Sequence, residues 1–115
     1  MTESRIKPAD CRTMAQVRQG IDRLDEQIVT LIGERFRYMD AAARIKPERG
    51  HVRDEARKAE VKAHAREVAR RERVPDGAIA QLYENLIEAS IAYEFVEFDR
   101  LDTATVSDAE AAPAR

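Results

Sequence analysis

The sequence has no tryptophan, one cysteine, four glycines and four prolines among its 115 residues. So few turn residues leave too few breaks for the many short strands of a β-sandwich. The single cysteine, Cys11, cannot close an internal disulfide. No apolar run approaches the roughly 20 residues needed to cross a bilayer. The opening MTESRIKPADCR lacks the apolar stretch of a secretory signal. These absences lead to the expectation of a cytoplasmic protein with no membrane association. A positive surplus is also missing. The net charge is −2 at pH 7, whereas sequence-independent nucleic-acid binders are strongly basic, so no nucleic-acid partner is expected. Charge of both signs is what the chain has in quantity. Asp, Glu, Lys and Arg make up 37% of it, a profile that suits long amphipathic helices. At this length one domain is expected.

The dominant pattern lies in residues 13–46. Met14, Val17, Ile21, Leu24, Ile28, Leu31, Tyr38, Ala42 and Ile45 recur in steps of three and four, a stripe on one helix face. Arg35 interrupts that stripe. A guanidinium inside a packing seam needs a carboxylate from another helix or a bound anion, because an unpaired buried charge is costly. A helix of this extent would span roughly 50 Å, against a radius of gyration of about 13 Å for a domain of such size. It overshoots any globule the chain could build alone, and a second copy is the simplest partner.

Residues 1–12 read as a polar N-terminal arm. Thr13 and Gln16 form a capping box that starts the first helix, and Pro47 stops it. Residues 47–53 (PERGHVR) form a short basic loop. Asp54 is placed to cap a second helix over about 55–73, with Ala59, Val61, Ala65, Val68 and Ala69 as a weak apolar side and most of its charges expected to be solvated. A Val-Pro-Asp-Gly turn precedes a third helix over about 77–98, whose apolar face is Ile79, Leu82, Leu86, Ile87, Ile91 and Phe95. Residues 101–115 have little to bury and are expected to form a disordered tail. The fold expected is all-α, with three helices per chain, a helical domain over 13–100 and a second copy as partner.

Several residues could hold an anion. Arg35 and Lys46 are three helical turns apart on one face, about 16 Å between Cα atoms, and long side chains could close on one small ligand. Arg18 lies about 25 Å from Arg35 along the helix, but an antiparallel partner helix would bring a second Arg18 beside it. Each has a plainer alternative: an ion pair with an acid for Arg35, a helical pair with Asp22 for Arg18, a helix-dipole partner for Lys46. Arg57 falls in the first turn of the second helix, which suits an anion but also an ordinary solvated charge. Leu86, Ser90 and Glu94 stack one turn apart on the third helix, where Glu94 could equally be a salt-bridge partner. His51 and His64 have no ligand spacing around them, and no metal is expected. The set offers no conventional nucleophile.

The run VRQGIDRLDEQIVTLIGERF, followed by RIK and then VRDEAR, resembles the all-helical chorismate mutases. ADCRTMAQVRQGIDRLDEQIV and RYMDAAARIK look especially like the isochorismate pyruvate-lyase branch of that fold. The resemblance covers residues 9 to 100. It implies an intertwined dimer with two sites, each completed by the other subunit's first helix, and a cofactor-free reaction on a small dicarboxylate, chorismate or isochorismate. It implies that Arg18 from the partner and Arg35 bind the substrate's carboxylates, and that Lys46 reaches a carboxylate and the ether oxygen of the breaking bond. Asp54 would hold the ring hydroxyl, Arg57 would add positive charge, and Ser90 would hydrogen-bond the ring carboxylate. Glu94 stands where many relatives carry Gln, and it can donate to an ether oxygen only when protonated. Lys58 stands where chorismate mutases often place a Glu that binds the ring hydroxyl. Chorismate mutase is the first expectation, isochorismate pyruvate-lyase the second, and a non-catalytic helical dimerisation module the third.

Overall fold

A computed structural model describes residues 5–111, with side chains through 103. The described residues form three α-helices and two short 3-10 turns, with no strand. Helix α1 is Met14–Ile45, α2 is Glu55–Arg71 and α3 is Asp76–Ala111. The all-α class, the three helices and the long first helix agree with the sequence reading. The chain divides into two compact units after Arg37, so α1 contributes to both.

In the first unit the capping box forms. Thr13 Oγ1 accepts from the Gln16 amide at 3.2 Å, and Gln16 Oε1 accepts from the amides of Arg12 at 2.6 Å and Thr13 at 3.3 Å. These bonds satisfy amides that a helix start leaves without partners. The arm turns through a 3-10 segment, Pro8–Asp10. Ile6, Pro8 and Cys11 then line an apolar cavity of about 170 Å³ together with Val17, Gly20, Ile21 and Leu24 of α1. Much of the seam is exposed. Met14 is 57% exposed and Leu31 64%, with Ile21 and Ile28 near half.

The second unit holds the core. Val52, Ile87 and Ile91 are buried together, with Val61, Tyr83, Phe95 and Phe98 packed around them. Ala65 and Ala69 of α2 and Ala80 of α3 are also buried; residues this small let two helices approach closely. Leu82, expected on the apolar face of α3, is instead 63% exposed.

The third helix runs past its expected end at about 98: α3 continues through Ala111. Residues 99–111 hold several alanines and no glycine or proline, so nothing in the local sequence stops a helix already running; residues 112–115 lie outside the described part. Most charges of α2 are exposed, as expected, but Lys58 and Lys62 are drawn onto α3. Lys58 Nζ bridges Glu84 at 2.9 Å and Glu88 at 2.7 Å, and Lys62 reaches Glu84 at 2.9 Å. Arg53 adds a pair to Glu88 at 2.7 Å. Lysine stems lie along the apolar surface and carry their ammonium groups to acids on α3.

These pairs make the α2–α3 contact sensitive to acid. Hydrogen bonds from Arg53, then from Lys58, draw the Glu88 carboxyl from an ordinary 4.5 down to about 2. Glu84 is lowered by Lys62 and then Lys58. A carboxyl whose folded value lies below its unfolded one stabilises the fold fully above the unfolded value and loses that contribution as pH falls through the folded one. Helix content followed by circular dichroism is therefore expected to fall as pH drops from about 4.5 to about 2. Glu88→Gln should reduce the change across that window; an identical acid transition in the variant would remove Glu88 from it.

Candidate functional site

Lys46 is where the end of α1 meets α3. Its amide still donates to the Ala42 carbonyl at 2.9 Å, and the next residue, Pro47, cannot continue the helix. The side chain leaves the helix end and donates from Nζ to Glu94 Oε2 at 2.6 Å. Glu94 is only 3% exposed, and the Lys46 side chain is 29% exposed. Of the charged residues described, Glu94 alone is buried. Ser90, one turn earlier on α3, is buried as well, and its Oγ donates to the Leu86 carbonyl at 2.7 Å. The predicted Leu86–Ser90–Glu94 stack therefore exists, and its carboxylate has found the Lys46 cation.

Residues 47–53 run along α3 from this point. The Arg49 guanidinium donates to both carboxylate oxygens of Asp99, at 2.8 and 3.2 Å, and lies 4.4 Å from the centre of the Phe95 ring. This bonding raises the Arg49 pKa and lowers that of Asp99. Val52 is 4% exposed against Ile87 and Ile91, and Arg53 grips both oxygens of Glu88 at 2.7 and 3.1 Å. Asp54 then caps α2, its Oδ1 accepting from the Arg57 amide at 3.0 Å. That use of the side chain agrees with its capping role. The Arg57 guanidinium faces solvent and pairs with Glu60 at 3.2 Å.

Of the seven residues singled out from the sequence, the structure joins Lys46 to Glu94, with Ser90 a turn away. Asp54 and Arg57 share the first turn of α2, in the same unit. Arg18, exposed, and Arg35, half-buried, lie on the part of α1 in the other unit. Lys58 is occupied by Glu84 and Glu88. The sequence reading missed Arg49, Arg53, Glu88 and Asp99. Their signal was the pairing of two arginines four residues apart with two acids eleven apart, three turns of α3.

A buried ammonium–carboxylate pair is a poor device for stability alone, because desolvation offsets much of its attraction. It is a good device for chemistry. Lys46 supplies fixed positive charge, and Glu94 can accept or, when protonated, donate. Residues 17–95 match the profile of a family described as Chorismate mutase type II. A stretch of 39 residues is 46% identical to an isochorismate pyruvate lyase of Pseudomonas aeruginosa. That stretch is 34% of this chain and spans 39% of the relative's length. With the family match running from α1 through the buried Lys46–Glu94 pair to Phe95, the chain belongs to the chorismate mutase type II family.

Proposed function

We propose that this protein rearranges chorismate to prephenate without a cofactor, in a homodimer whose two sites each draw on both chains. The observation that carries the reading is the buried Lys46–Glu94 pair at 2.6 Å, in a chain of this family. The uncovered seam residues Met14, Ile21, Ile28 and Leu31 support a second copy, because contiguous exposed apolar surface marks an interaction face.

In this reading, Arg18 of the partner subunit and Arg35 take the substrate's two carboxylates, and Lys46 reaches a carboxylate and the ether oxygen. Ser90 bonds the ring carboxylate, Asp54 the ring hydroxyl, and Arg57 adds positive charge. The carbon–oxygen bond breaks ahead of carbon–carbon bond formation, so negative charge grows on the ether oxygen. Lys46 and a protonated Glu94 meet it there. Catalysis is then the holding of a flexible dianion in a reactive shape and the placing of fixed positive charge where charge develops.

A second reading is favoured by one specific observation, the 39-residue match to an isochorismate pyruvate lyase. The same residues would then hold isochorismate and release salicylate and pyruvate. Side-by-side turnover of the two substrates by the purified chain decides. Prephenate from chorismate at the higher rate supports the first reading, salicylate from isochorismate the second. Neither product would leave a helical dimerisation module.

A further inference from the structure

We infer that Arg49 and Asp99 are positioning residues that hold Lys46 against Glu94, an inference that rests on the site reading above. Along α3, Glu88, Glu94 and Asp99 follow at intervals of six and five residues, roughly 9 and 7.5 Å of rise. The segment 46–53 meets all three. Lys46 binds Glu94, Arg49 binds Asp99 beyond it, and Arg53 binds Glu88 before it. Val52 is buried between the two arginines. The buried pair is thus bracketed along α3 by two two-pronged arginine clamps.

The two clamps differ in redundancy. Glu88 is shared by Arg53 and Lys58, and Arg53 also bonds Glu55. Among the described hydrogen bonds and ion pairs, the Arg49 and Asp99 side chains have only each other, plus the Phe95 ring under the guanidinium. An exposed ion pair is usually worth little. This one is bidentate and stacked on a ring, the geometry in which arginine is most directional. It is also the single ionic tie at the far end of a loop that contains Gly50. Without it, residues 47–51 have no side-chain tie to α3 between the Lys46–Glu94 pair on one side and Val52 and Arg53 on the other, and the direction in which the chain leaves Lys46 is less fixed. Small displacements of a positioned charge cost rate steeply.

The test is a charge exchange in the full-length protein. Arg49→Asp alone sets two carboxylates against each other; Arg49→Asp with Asp99→Arg restores an opposite pair at the same place. Both positions are exposed, at 58% and 52% of their side chains, so neither change threatens the core. Two readouts are followed: turnover, and hydrogen exchange at the amides of His51 and Val52, which bond Glu48 and Arg49 carbonyls. The expected result is faster exchange and a kcat about tenfold lower in the single variant, with both largely recovered in the double. Arg49→Lys, which keeps charge but not the fork, should fall between. Unchanged exchange in Arg49→Asp overturns the clamp. Faster exchange with native kcat overturns the positioning role. If the native protein turns over neither substrate, the site reading fails first and the positioning role falls with it, a result distinct from either.

Discussion

Lys46→Met is expected to lower kcat about 100- to 1000-fold, the usual loss when one preorganised group facing developing oxyanion charge is removed. The same change strands Glu94, which is 3% exposed and has Lys46 as its ion-pair partner. Removing one member of a buried pair costs about 3–5 kcal/mol. The lower end applies here, because the Lys46 side chain keeps 29% of its exposure and water can reach the gap. A second substitution separates the two effects. Lys46→Met with Glu94→Gln leaves no unpaired charge, so thermal stability should return while turnover does not. Recovery of both would show the pair to be structural, and loss of neither in Lys46→Met would show that it serves neither stability nor turnover.

Glu94→Gln by itself should keep turnover, whereas Glu94→Ala should lower kcat about 100- to 1000-fold. Glu94 accepts from Lys46 at 2.6 Å, and in the reading above the same side chain donates to the ether oxygen. An amide always carries such a donor, and a methyl carries none. Equal kcat in the glutamine and alanine variants would take Glu94 out of the mechanism.

The helices were legible because each has a periodic pattern and recognisable ends. The Thr13–Gln16 box and Pro47 place the limits of α1 within a residue of those observed, and Asp54 places the start of α2, whose end at Arg71 comes two residues before the expected one. The extension of α3 was not legible. Residues past Phe98 have no apolar stripe, and a pattern-based reading stops where burial stops, whereas a helix stops where a breaker stands. The site was half legible. The Leu86–Ser90–Glu94 stack followed from spacing alone. That Glu94 would take Lys46 did not, because the choice among cations is made by the path of the 47–53 loop. That path is set by Val52 packing on Ile87 and Ile91 and by the Arg49 and Arg53 clamps. Such contacts join residues 35 to 50 positions apart, beyond the reach of local periodicity.

The central claim is that two chains build each site together. Subunit mixing tests it directly. Arg18→Ala and Lys46→Met should each be nearly inactive alone. Mixed and allowed to exchange, half of the dimers carry one chain of each kind, and in these one site has its Lys46 and the other chain's Arg18 both intact while the second site has lost both. The account predicts recovery to about a quarter of native activity. No recovery in a mixture shown to contain heterodimers, or a chain that stays monomeric while turning over substrate, would contradict it.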